Sequence, residues 1–297
     1  MITIDPKEIK TGQFHAHMLS AVAPRPIAFA STIDNEGNPN LSPYSFFNAF
    51  GSKPPTLIFS PARRVRDNTI KHTLENVYEN LEVVINVVSY NMVQQASLSS
   101  CEYPKGVSEF IKAGFTPIPS QLVKPFRVKE SPVQFECKVK QVIETGTEGG
   151  AGNLIICEIL LMHISEDVMD KEGRIDPHKI DLVGRCGQDY YCRASGNALF
   201  EVTKPNLKMG IGIDQIPAHI RNSDVLSGND LGQLGNVESI PDQQTISEFG
   251  NMEEIRNLSA VINANPESKN KALHLAAKAL IQAGKIDDAW KLLLHFS

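Results

Sequence analysis

No apolar run in the 297-residue sequence approaches the ~20 residues that cross a bilayer, so a membrane-spanning helix is not expected. Its start, MITIDPKEIK, lacks the basic-then-apolar layout of a secretory signal. A basic stripe is also missing. The net charge is −5 with acidic residues dispersed, which argues against a nucleic-acid partner. Cysteines are few, odd in number and scattered: Cys101, Cys137, Cys157, Cys186 and Cys192. That pattern excludes a disulfide framework and suits free thiols in a reducing cytoplasm. There is no Gly-x-Ser-x-Gly elbow and no P-loop. His15-Ala16-His17 is the nearest thing to a metal pair, but no cysteine or carboxylate cluster lies nearby to complete a site. Glycines crowd residues 146–152, yet a strand follows them rather than a helix, so they form a flexible hairpin loop and not a dinucleotide fingerprint.

What is present begins with residues 25–50, RPIAFASTIDNEGNPNLSPYSFFNAF. Ile27, Phe29 and Ser31 alternate with Ala28, Ala30 and Thr32, so the two faces of one strand carry different sets. Residues 34–38 are a turn cluster, because Asp, Asn and Gly tolerate the left-handed backbone of a tight reversal. Residues 41–47 return as a second strand. Both strands end in hydroxyls, at Ser31-Thr32 and at Ser45, and the second runs into Phe46-Phe47-Asn48. Hydroxyls and backbone amides beside aromatic surface suit a flat ligand with polar edges and an anionic tail.

Residues 56–59 form a short buried strand, which Ser60 and the basic loop Arg63-Arg64-Val65-Arg66 leave. Leu74, Val77 and Leu81 at helical spacing predict a helix, with Thr73 or Asp67 as its cap. Residues 83–88 read as a central strand. Residues 91–100 predict a short helix capped by Asn91, and residues 109–113 another within a proline-punctuated excursion. Residues 133–145 and 153–165 form the clearest hairpin, with Phe135, Cys137, Val139 and Ile143 alternating with Glu136, Lys138 and Lys140. Beyond Ala198 the composition changes. Residues 199–244 read as an irregular surface arm and 245–297 as a helical extension. Thr245-Ile246-Ser247-Glu248 has the capping-box pattern, and Asn265-Pro266 offers a second helix start. Leu273, Ala276, Ala277, Leu280 and Ile281 line one face of a helix that Gly284 ends. Asp287 is the expected cap of a last helix with Ala289, Trp290, Leu293 and Leu294 inward.

The ordered set Arg25-Pro26-Ile27, Ser31-Thr32, Ser45-Phe46-Phe47-Asn48, Pro55, Ser60, Lys71-His72-Thr73 and Val83-Val84-Ile85-Asn86-Val87 resembles the flavin reductase-like, FMN-binding split-barrel family, which includes flavoredoxin. The resemblance implies a mainly β fold with peripheral helices: a Greek-key split β-barrel over residues 1–198, here followed by the arm and the helical extension. It implies FMN as cofactor and NADH or NADPH as reductant. It points to Ser31, Thr32, Lys71 and Thr73 as phosphate or ribityl contacts, and to Ser45, Phe46, Phe47 and Asn48 at the edge of the ring. Ser60 and Arg63 join them as cofactor-binding candidates. Where the family commonly has Lys-Asp-Thr, this chain has Lys71-His72-Thr73, and His is a poorer helix cap than Asp.

Flavin phosphate carries about −1.5 to −2 charges at neutral pH and needs cations, hydroxyls or amides. The arginine loop and the helix start at Lys71 supply them close together in sequence. Hydride transfer needs no protein nucleophile, which agrees with the missing catalytic motifs and with no residue being assigned a catalytic role. The expectation is a cytoplasmic homodimer that passes hydride through FMN to a flavin or small acceptor, with a further protein partner possible through the C-terminal helices. A flavin redox carrier without nicotinamide activity and a non-catalytic interaction module are the alternatives.

Overall fold

The computed structural model describes residues 1–205, 208–263 and 269–296. The chain divides into two compact units, Met1–Phe200 and Glu201–Ser297.

In the first unit, α1 (Thr11–Ala21) precedes β1 (Ala28–Ile33), β2 (Pro39–Tyr44), β3 (Phe47–Ser52) and β4 (Pro55–Phe59). Then come α2 (His72–Asn80), β5 (Glu82–Val87), α3 (Val93–Leu98) and α4 (Glu109–Ala113). A short ladder, β6 (Pro117–Ile118) with β7 (Arg127–Val128), leads to the long hairpin β8 (Val133–Glu144) and β9 (Asn153–Ile164). A small hairpin, β10 (Val183–Arg185) with β11 (Tyr191–Arg193), closes the unit. Strands β2-β1-β5-β8-β9-β4-β3 form one seven-stranded sheet, antiparallel throughout. Its edges, β2 and β3, are consecutive in the chain, with only Ser45 and Phe46 between them. A sheet whose edges meet at one corner cannot stay flat. It rolls into a barrel that is closed at that corner and split along the rest of the seam.

Strand β1 is buried along its whole length because both of its faces are covered. Ala28 and Ala30 face an inner cluster with Tyr44, Phe59, Val77, Ile85 and Ile155. Ile27 and Phe29 face an outer cluster with Met92, Phe110, Phe115 and Val128. Helix α2 supplies Leu74 and Val77 to the inner cluster. Leu81, expected on that face, lies past the helix end in a left-handed conformation and is exposed. Neither Thr73 nor Asp67 caps α2; Lys71 takes the cap position without a side-chain bond. Asn91 caps nothing either: it lies within a 3-10 turn, and Met92 precedes α3. On β8, Glu136 breaks the expected alternation. It is fully buried, because residues 119–127 fold over the polar face and donate the Gln121 and Leu122 amides to its carboxylate at 2.8 and 2.6 Å.

In the second unit, α5 (Ala218–Arg221), α6 (Gly228–Gly235), α7 (Gln243–Gly250), α8 (Glu253–Asn263), α9 (Lys269–Gln282) and α10 (Ile286–His295) share one core. Trp290 lies fully buried at its centre, and its indole N–H donates to the Leu234 carbonyl at 3.0 Å. The surface-arm reading does not hold for residues 216–235: Ile216, Ile220, Leu226 and Leu234 are buried in that core. Ser227 and Asp230 make a reciprocal capping box there. The box read at Thr245 lies one turn too late, since Asp242 caps α7 and accepts from the Thr245 amide at 2.8 Å. Asp287 pairs with Lys291 instead of capping α10. Asn265 and Pro266 lie outside the described residues.

Candidate functional site

Tyr44, Ser45 and Phe46 turn the barrel corner, and the corner is tied to the basic loop. The Ser60 amide donates to the Phe46 carbonyl at 2.9 Å, and Ser60 Oγ accepts from the Asn153 amide at 3.0 Å. The loop then runs to Arg64, whose guanidinium donates to the Thr69 hydroxyl and the Ile70 carbonyl, folding the chain back to the start of α2. The glycine-rich hairpin loop packs on the same segment. Arg63 donates its amide to the Ala151 carbonyl, Gly150 donates to the Arg63 carbonyl, and a Cβ at Gly149 would sit 3.0 Å from the Arg64 carbonyl oxygen.

Beside this fold-back lies a narrow polar cleft lined by Ser42, Tyr44, Arg64, Lys71, Thr73 and Glu102, among others. Three cations converge on one carboxylate. Arg64 and Arg66 each reach Glu102 at 2.9 Å, and Lys71 at 3.4 Å. Arg66 and then Arg64 hold the Glu102 carboxyl down to about 2, with Lys71 adding to the effect. Arg64 is 16% exposed and Arg66 72%, so Arg64 keeps more of its field from solvent screening. The first turn of α2 begins here without a side-chain cap, which leaves helix-end amides and partial positive charge at the cleft.

The sequence-predicted residues fall into distinct places. Lys71 lies in the cation cluster. Thr73 is buried beneath it, its hydroxyl accepting from Asn40 Nδ2 and from the Tyr44 hydroxyl, both at 2.8 Å. Thr32 belongs to the same network, accepting from Asn40 at 3.2 Å and Asn76 at 3.1 Å. Ser31 points to the other face of β1, fully buried, its hydroxyl without a partner. Arg63 turns away from Glu102 and donates to Asn68. Ser45 accepts from Arg25 Nε at 3.4 Å. Phe46 meets the His15 ring edge-on at 6.1 Å, Phe47 packs on the inner cluster, and Asn48 is exposed on the edge strand.

Sequence reasoning missed Glu102, which follows a helix with no motif around it. It also missed Glu109, a buried carboxylate that accepts from the Leu41 amide at 3.0 Å and whose pKa burial raises. Only tertiary proximity marks either of them. Among the described residues no three His, Cys, Asp or Glu side chains gather to hold a metal ion, and no helix is long and apolar enough to cross a membrane.

A family model described as the flavin reductase like domain matches residues 19–178, more than half of the chain. The chain belongs to the flavin reductase-like family. The rolled sheet is that family's split barrel, and the protein is a flavin-related oxidoreductase. It is 36% identical over 196 residues to an uncharacterized protein of Aquifex aeolicus (strain VF5), spanning 66% of this chain and 97% of that one. The solved structure of nitrilotriacetate monooxygenase component B from Bacillus cereus is similar at 27% identity and TM-score 0.63, covering 69% of this chain and 98% of the other. A 2-nitrobenzoate 2-nitroreductase from Pseudomonas fluorescens is similar at 26% identity and TM-score 0.61, with the same coverage. The family match ends before the second unit of this flavin reductase-like protein begins.

Proposed function

We propose that this protein is an FMN-dependent oxidoreductase that accepts hydride from NADH or NADPH and delivers it to a flavin or another small acceptor. The observation that carries this reading is the convergence of Arg64, Arg66 and Lys71 beside the open end of α2. The Glu102 carboxylate marks where those cations hold an anion, and a phosphomonoester offers more charge and more acceptor oxygens than a carboxylate. The donor set therefore fits FMN better than riboflavin. Arg64, Lys71 and the first-turn amides of α2 would hold the phosphate. Thr73, Asn40 and Tyr44 would fix the floor of the cleft, and the corner at residues 45–48 would border the ring. FMN, when bound, supplies the hydride chemistry, while the chain orients it and leaves one face open to the donor.

A second copy of the chain completes this proposal. Edge strand β3 is exposed over most of its length, with Phe50 64% exposed, and β9 presents Leu160, Met162 and Ile164 outward. An uncovered sheet edge and adjoining apolar side chains favour a homodimer. The second unit is proposed to dock a protein partner. Anaerobic mixing of the FMN-loaded protein with NADH and NADPH tests the activity. Bleaching of the flavin absorbance by either one is the expected result. Bleaching by dithionite alone makes the protein a redox carrier, and no flavin spectrum after FMN addition rejects cofactor binding.

A further inference from the structure

The hairpin β10–β11 carries two thiols on one face. Gly184 is directly opposite Cys192, and Arg185 opposite Tyr191. Cys186, two residues beyond Gly184, returns to the same side of the ribbon. The Cys186 amide donates to the Tyr190 carbonyl at 2.9 Å, which fixes it at the mouth of the turn. Both sulfurs gather around the glycine. Cys186 Sγ lies 3.9 Å from the Gly184 carbonyl oxygen, and Cys192 Sγ lies 3.3 Å from where a Cβ on Gly184 would sit. The absence of a side chain at Gly184 is what leaves room for the sulfurs there. Both thiols are free and half-buried.

Their surroundings differ from those of the other cysteines. Arg25 is 4% exposed, and its Nη2 has no hydrogen-bond partner. Its guanidinium interacts electrostatically with Cys186. Cys192 lines a cavity of about 400 Å³ walled by Tyr90, Gln94, Arg185, Tyr191 and Arg193, so a small molecule can reach Cys192, and Cys186 is half-buried on the same face of the hairpin. By contrast Cys137 and Cys157 are sealed in the barrel core, where burial pushes the first up to about 12 and the second well above its ordinary value. Cys101 is exposed but is not paired with another cysteine in a disulfide.

We infer that Cys186 and Cys192 are a redox-active dithiol that exchanges with small disulfides of the glutathione class. The Cys186 thiolate attacks one sulfur of the external disulfide. A Cys186–external S–S bond forms as the external S–S bond breaks, and one external thiolate leaves and takes up the proton that Cys186 released. Cys192 then gives up its proton and attacks the Cys186 sulfur. The intramolecular bond forms, the mixed disulfide breaks, and the second external thiol departs with that proton. Two protein thiols are oxidised and one external disulfide is reduced to two thiols, so electrons and protons balance. The reaction does not require the flavin, and it stands or falls separately from the reductase reading.

Trypsin cuts after Arg185 and Arg193 and so places both cysteines in one peptide, CGQDYYCR, apart from Cys101, Cys137 and Cys157. The full-length protein is equilibrated in buffers of reduced and oxidised glutathione, blocked with iodoacetamide, digested and weighed. The expected product is that peptide lighter by two hydrogens and unalkylated, with alkylation restored after dithiothreitol. Cys192→Ser is expected to accumulate a glutathione adduct on Cys186, and Cys186→Ser to accumulate none on Cys192. Circular dichroism checks that both variants fold, and the wild-type measurement needs no variant. If both cysteines alkylate fully across the whole range of buffers, the dithiol assignment is wrong. An adduct that builds up on Cys192 in Cys186→Ser instead overturns the attacking role of Cys186.

Discussion

Lys71 tests the phosphate reading most directly, because FMN and riboflavin differ only in the group it is proposed to hold. Its side chain is 29% exposed and shares Glu102 with two arginines, so removing it weakens the cluster without unfolding it. Lys71→Ala is expected to raise the FMN dissociation constant about tenfold, the scale of one charge-assisted contact. Riboflavin affinity should be unchanged, and flavin fluorescence titration reads both. Glu102→Gln should act in the opposite direction. The carboxylate competes for the same cations, and its pKa of about 2 keeps it ionised at neutral pH. Neutralising it frees Arg64, Arg66 and Lys71, and the same titration should show FMN binding several-fold tighter. Weaker FMN binding in this variant would mean that Glu102 orients the loop rather than competing for it.

At the level of elements, β8 shows how a polar residue becomes structural. Burial pushes the Glu136 carboxyl up. The Gln121 and Leu122 amides, together with His163 at 2.8 Å, outweigh burial and hold it below its ordinary value. The unfolded chain therefore binds more protons as pH falls through about 4.5, the ordinary value for a glutamate. Stability from this group is complete above that pH and is lost as pH falls through the folded value. Melting temperature followed from pH 7 to about pH 3 should drop on the acid side, and Glu136→Gln should flatten that limb while melting lower at neutral pH. Helix α2 makes a related point. Its amino end has no side-chain cap, a local cost that leaves its amides available to a ligand.

On the scale of the molecule, each unit owns a separate core. A chain ending at Phe200 is expected to fold and to keep FMN affinity within about twofold of the full chain, since burial of apolar area is what stabilises a domain. Calorimetry and titration of that truncation check both statements, and a loss of folding would show that the units depend on one another. The exposed edge at β3 gives the matching test for the proposed homodimer. Phe50→Glu puts a charge on the edge strand, and sedimentation should show a shift from dimer to monomer with the fold retained.

Local pattern determined the strands, the hairpin and the family resemblance, because alternation, turn residues and β-branching act over a few neighbouring residues. Thus Ile27 and Ala28 were assigned to opposite faces, and Lys71 was placed at a helix start, from neighbours alone. The convergence of Glu102 on an arginine loop far from it in the chain was not legible, nor was the burial of Glu136 under residues 119–127. The gathering of Cys186 and Cys192 around Gly184 was equally hidden. Residues 216–235 looked like a polar arm because their few apolar side chains fall at no regular period; only packing against α9 and α10 makes them core. Which charges meet, and which polar groups lose water, depends on the separation of side chains in space, and only the folded chain sets that separation.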